Sequence, residues 1–159
     1  MLYSFKIHEY EERAEGHMDK NSEMIKEGIL VTLGSLVALA VAFMFYFAIF
    51  MLFETMANQD GSYGFVSPVR VGYGIIWIIL CLIIYRTRMY DWLKASMLTG
   101  SLTTFMVGIG VQLHKTPIIV GLFMLLVAAT SVFLLRKMKK KWYHYYAIII
   151  SIIAVLYYL

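Results

Sequence analysis

Charge is almost missing from five long segments of this chain. The segments run over residues 28–53, approximately 65–85, 95–113, 118–135 and 143–159; they contain no Asp, Glu or Lys, and Arg70 and His144 lie near segment ends. Buried charges in a membrane mark ion and proton pathways. A pathway that uses a carboxylate or a lysine in the middle of these segments is therefore excluded.

Cysteine and proline are also scarce. Cys81 is the single cysteine, which excludes an intrachain disulfide and a Cys-x-x-Cys redox or metal motif. The sequence has only two prolines, and 61% of its residues are hydrophobic against 15% charged, which leaves no room for a separate soluble domain. We expect a polar N-terminal segment over residues 1–27, and one transmembrane domain over residues 28–159.

The five segments are predicted to be membrane-spanning helices. Each has close to the roughly 20 residues that a helix needs to cross a bilayer. Residues 75–84 and 118–127 are apolar on every face, which is typical of lipid-facing helices and not of alternating β-strands. The first segment is too long for the apolar region of a signal peptide, so we interpret it as a retained anchor. The predicted fold class is an all-α, polytopic helix bundle with five spans.

Basic residues predict the orientation. Twelve of the fourteen fall on one side of the predicted topology, and only Arg70 and Lys115 fall on the other. The twelve are Lys6, Arg13, Lys20, Lys26, Arg86, Arg88, Lys94, Arg136, Lys137, Lys139, Lys140 and Lys141. Lys and Arg are enriched in cytoplasmic loops. We therefore expect the N-terminus inside, the C-terminus outside, and a multi-pass protein of a plasma membrane, in a prokaryote.

The third segment has a stripe of small and polar residues. Ser96, Gly100, Thr104, Gly108 and Gln112 recur at every fourth position, with Thr103 beside them, and a weaker stripe of Gly34, Ala38 and Ala42 occurs in the first segment. Small residues let helix backbones approach closely, and hydroxyls bond across the contact. This pattern predicts that the third helix is central and packs against the first or against another copy of the chain. An alternative interpretation is that the polar face lines a path for a neutral solute.

A basic cluster follows the fourth segment. It comprises Arg136, Lys137, Lys139, Lys140 and Lys141. Such a cluster can bind anionic lipid, since basic residues beside an anionic membrane surface are attracted to it. The alternative is that these charges only hold the loop inside.

Residues 71–74 spell VGYG and resemble the core of the potassium-channel filter. The resemblance ends there, because Arg70 stands where the filter pattern has Thr, and Ile75 where an Asp usually follows. We interpret these residues as the start of an ordinary membrane helix.

In the N-terminal segment, His8 and Glu12 would share one helix face, but they form no metal motif.

Function is predicted only broadly. No set of acid, base or nucleophile groups has a recognised spacing, so we expect no catalytic residue, metal or cofactor. The first hypothesis is a non-enzymatic subunit or accessory component of a membrane assembly, with membrane lipid and other subunits or further copies of the chain as partners, and no nucleic acid. The second is a small oligomeric transporter or channel for an uncharged or apolar solute. A membrane-embedded lipid-modifying enzyme is a further alternative.

Overall fold

The computed structural model describes residues 2–57, 64–113 and 115–158, with side chains from residue 21 onward. In these ranges the chain forms five α-helices and no strand, and 88% of it is helical. The helices are α1 (Leu2–Ala57), α2 (Val66–Arg86), α3 (Asp91–Gly110), α4 (Pro117–Lys137) and α5 (Trp142–Tyr158). The prediction of an all-α fold is confirmed.

The helix ends lie close to the predicted segment ends in four of five cases. Pro117 occupies the first turn of α4, where a proline is favoured because it has no backbone N–H to leave unpaired. Residues 71–74 lie inside α2, so the filter-like tetrapeptide is helical. The exception is α1, which begins at Leu2 and continues through the polar segment into the apolar one, for about 84 Å at 1.5 Å per residue. His8 and Glu12 lie outside the described side chains.

Three helices are long and apolar enough to cross a membrane, within the part of the chain that the structure describes. They are residues Asn21–Met56 of α1, Val66–Arg86 and Pro117–Lys137. Most of their large apolar side chains are exposed, which a helix tolerates only in lipid or against a partner. The protein is therefore a membrane protein. α5 is apolar but has 17 residues, and α3 is the helix with the most buried polar side chains.

Helix α3 lies at the centre of the bundle. It packs extensively against α1, α2 and α5, and only lightly against α4. Its contacts with α1 advance together along both chains, from Ser96 with Gly34 to Gly100 with Ala38, so the two helices are parallel. Helix α5 is parallel to α3 as well, because α5 begins beside Lys94 and Thr99 meets Ala147 one turn later.

Helices α2 and α4 run in the opposite direction to α3. Arg70 of α2 contacts Gly108, and Gly74, one turn later in α2, contacts Phe105, which comes earlier in α3. On α4, Phe123 contacts Phe105, while Leu135 packs with Leu102. Helices α3 and α4 are therefore antiparallel, although the contact between them is small. His114, in the turn between them, lies outside the described residues.

The alternating directions bring the basic segments together. The C-terminal ends of α2 and α4 and the N-terminal ends of α3 and α5 lie at one end of the bundle, beside the Gly28 turn of α1. We call this the basic end, because Arg86, Arg88, Lys94 and the cluster over residues 136–141 belong to it. The other end is the distal end.

Candidate functional site

A cleft lies in the distal half of the bundle, between α1, α2, α3 and α5. Its volume is about 280 Å³. The wall is mostly apolar, from residues such as Leu39, Phe43, Val107 and Ala154, and Arg70 is the one charged residue among the described residues that line it. Pockets of this kind, apolar with a few polar groups, are typical of small-molecule sites. We call this space the distal cleft.

Thr103 places a buried hydroxyl in the wall of the distal cleft. Its side chain is 8% exposed, and its hydroxyl has no hydrogen bond to any described residue. The neighbouring hydroxyls are paired: Thr104 Oγ1 donates to the Gly100 carbonyl at 2.7 Å, and the Tyr73 hydroxyl donates to the Ala42 carbonyl at 2.5 Å. A buried hydroxyl without a partner is costly. The Thr103 hydroxyl is therefore available to a molecule in the cleft.

Below the cleft, toward the basic end, hydroxyls tie α1, α3 and α5 together. Ser35 Oγ donates to Thr99 Oγ1 at 3.0 Å, and Thr99 Oγ1 donates to the Ala147 carbonyl at 3.2 Å. Ser151 Oγ of α5 completes the group, donating to the Thr99 carbonyl of α3 at 3.4 Å and to the Ala147 carbonyl of its own helix at 2.9 Å. All three hydroxyls are fully or almost fully buried. These hydrogen bonds hold α1, α3 and α5 together below the distal cleft.

A second polar cluster lies at the basic end. His144 is fully buried, stacked on Tyr143 with 4.8 Å between ring centroids and in edge contact with Tyr85 at 5.7 Å. Neither imidazole nitrogen has a hydrogen bond to a described residue. Nearby, the ammonium of Lys94 lies 3.9 Å from a carboxylate oxygen of Asp91. The arrangement offers a hydrogen-bonding ring between two tyrosine rings, with the charges of Lys140, Asp91 and Lys94 close enough to act on it.

The residues predicted from the small stripe divide into three groups. Gly34, Ala38, Ser96 and Gly100 form the contact between α1 and α3, where a side chain on either glycine would meet the facing helix. Ala42, Thr103, Thr104 and Gly108 line the distal cleft. Gln112 does neither: its amide donates to the Ser67 carbonyl and to the Ser67 hydroxyl, and so ties the end of α3 to the start of α2.

The predicted lipid-contact residues are spread over the surface of the basic end. The ammonium groups of Lys140 and Lys141 lie over the rings of Tyr85 and Tyr143, at 5.4 and 5.7 Å from the centroids. Arg136, Lys137 and Lys139 are exposed.

Sequence reasoning missed His144 and Tyr73 as site residues. His144 sits in the first turn of its helix, where an exposed, interfacial ring is the ordinary expectation. One signal in the sequence does indicate burial of His144. It is flanked by Trp142, Tyr143, Tyr145 and Tyr146, and this aromatic run can bury one face of α5. Tyr73 carried no signal, because its partner, the Ala42 carbonyl, is a backbone group.

Comparison of this chain with protein-family models, with curated proteins and with solved structures finds no match. The functional argument therefore depends on the geometry of the two clusters.

Proposed function

We propose that all five helices cross the membrane, with the N-terminus inside and the C-terminus outside, in a plasma membrane. The support is the regular alternation of helix direction, together with the collection of basic residues at one end. Helix α3 is polar for a spanning helix, but α1, α2 and α5 surround it, so its hydroxyls meet other helices and not lipid. Helix α5, at 17 residues, reaches the lower limit for crossing.

Within this topology, we propose that the protein is a small transporter that binds an uncharged, mainly apolar solute in the distal cleft. The observation that carries the proposal is the Thr103 hydroxyl, buried in the cleft wall without a partner. A solute with one hydrogen-bonding group would satisfy this hydroxyl and bury its apolar part against Leu39, Phe43 and Val107.

The hydroxyl layer around Thr99 lies between the cleft and the basic end. The cleft lies beyond the level of Thr99 by one helical turn, so a solute held at Thr103 reaches the basic end only if α1 and α5 separate from α3. Ser35, Thr99 and Ser151 would then expose hydroxyls to the solute. Transport by this route moves no charge, since none of these groups is ionisable.

We expect Thr103→Val to weaken solute binding about fivefold while leaving the fold intact. The substitution removes the buried hydroxyl without a partner and keeps the side-chain shape. A hydrogen bond contributes about 1 kcal/mol, and about 1.4 kcal/mol gives a factor of ten. The measurement uses phenol as an uncharged probe with one hydroxyl. Saturation-transfer NMR on the protein in lipid nanodiscs reports its binding as phenol is titrated.

Thr104→Val is the matched control, because Thr104 lines the same cleft but donates its hydrogen bond within α3. Phenol affinity should change less than about twofold in this variant, since no ligand contact is lost. Toluene, which lacks the hydroxyl, should bind both variants and the unmodified protein equally. Absence of saturable phenol binding, or equal phenol affinity in Thr103→Val and the unmodified protein, would overturn the proposal.

The other two hypotheses are less well supported by the geometry. The small stripe of α3 is occupied inside the chain, by Ala38 at Gly100 and by Arg70 at Gly108, so it is not available to a partner subunit. No carboxylate or imidazole is among the described residues that line the distal cleft, which leaves a hydrolytic enzyme without a base there. The accessory role and the enzyme stay predictions from the sequence.

A further inference from the structure

We propose that an anionic phospholipid binds in a groove between α2 and α4 at the basic end, with an acyl chain in the groove and its phosphate among the basic residues of the rim. The site is separate from the distal cleft and does not depend on the transport proposal.

The groove exists because α2 and α4 flank α3 without packing on each other. Its volume is about 490 Å³, and Leu98 of α3 contributes to its floor. Ile79 and Leu82 of α2 form one wall, and Leu134 and Leu135 of α4 form the other. The groove is apolar along the helices and lies at membrane depth, where an acyl chain is the molecule available to fill it.

One end of the groove is basic. Arg86, the last residue of α2, lines it. The ammonium of Lys140 lies 5.4 Å from the centre of the Tyr85 ring, and Tyr85 lines the groove too. No acidic residue is among the lining residues that the structure describes. Basic pockets between membrane helices on the cytoplasmic side bind anionic lipid headgroups.

Tyr85 adds an observation that does not depend on charge. Its hydroxyl is buried and has no hydrogen bond to a described residue. The hydroxyl of a tyrosine beside two cations is a natural donor to a phosphate oxygen, because hydrogen bonds to charged acceptors are the strong ones. A bound phospholipid would therefore satisfy Tyr85, Arg86 and Lys140 together.

The test is native mass spectrometry of the full-length protein in detergent, titrated with dioleoylphosphatidylglycerol and, separately, with dioleoylphosphatidylcholine. The unmodified protein should bind the anionic lipid more tightly. Arg86→Gln with Lys140→Gln should weaken that binding roughly thirtyfold, since each basic residue beside an anionic lipid changes affinity about fivefold. An excess of inorganic phosphate should not displace the lipid, because phosphate lacks the acyl chains; displacement would assign the site to a free anion.

Two further variants keep the test decisive. Arg88→Gln with Lys137→Gln removes the same charge from the same end, but neither residue lines the groove, so affinity should fall much less. Ser131→Phe fills the groove without changing charge and should abolish tight binding; Ser131 bonds only within its own helix, so the fold should survive, with an unchanged melting temperature as the check. Equal affinity for the two lipids, or equal loss in both double variants, would overturn the proposal.

Discussion

Gly74→Leu is expected to destabilise the fold strongly. A Cβ atom at Gly74 would lie 3.0 Å from the Cα atom of Phe105, and a backbone atom of the central helix cannot move aside as a side chain can. The substitution therefore separates α2 from α3. Overpacking of a close contact costs about 3 kcal/mol or more, which corresponds to a melting temperature lower by roughly 6–12 °C. Fluorescence-detected size exclusion after heating, in detergent, measures the change.

Gly72→Leu is the control for this prediction. Gly72 lies two residues away on the same helix, and a Cβ atom there would meet nothing within 4 Å. The same change in size and helix propensity should therefore leave the melting temperature within about 2 °C of the unmodified protein. Similar losses at both positions would contradict the assignment of Gly74 to the α2–α3 contact, and so would tolerance of leucine at Gly74.

His144→Phe is expected to stabilise the protein. The buried imidazole leaves both nitrogens without partners in the described chain, which costs about 1–3 kcal/mol, whereas a phenyl ring keeps the stacking on Tyr143 and has no polar atom to satisfy. The melting temperature should rise by about 3–6 °C. The measurement is the same thermal assay.

His144→Ala should act in the opposite direction. Removing the ring leaves a cavity between Tyr85 and Tyr143, and large-to-small changes in a packed core cost about 2–4 kcal/mol. If phenylalanine instead destabilised the protein as much as alanine does, the imidazole would have a hydrogen-bond partner that the packing of these rings does not reveal.

Much of the fold follows from the sequence, because the bilayer imposes strong constraints on it. Four of the predicted segments begin and end within a few residues of the corresponding helices. The reason is that apolar runs must be helical in lipid. The central place of α3 follows from its stripe of Gly100 and Gly108, which only a closely surrounded helix requires. The start of α1 was not predictable in this way, because no lipid constrains its polar part, and local composition alone does not place a helix end.

The candidate site is less accessible to sequence reasoning. Thr103 and Thr104 are adjacent and chemically identical, yet one hydroxyl is paired and the other is not. The difference comes from the rotation of α3 relative to the helices around it, which no local pattern records. The burial of His144 is likewise not readable from its own helix, since it depends on Tyr85, a residue of another helix.

The central claim is that five helices cross the membrane around α3, and two loop positions test it most directly. In a Cys81→Ser background, the account predicts that Lys115→Cys reacts with a membrane-impermeant maleimide added outside intact cells, and that Lys139→Cys reacts only after the membrane is opened. If only the three most apolar helices crossed, α3 and α5 would not, and both loops would change sides. The termini alone would not distinguish these topologies, because both place them on opposite sides. Labelling of Lys139→Cys from outside, with Lys115→Cys protected, would contradict the five-span account.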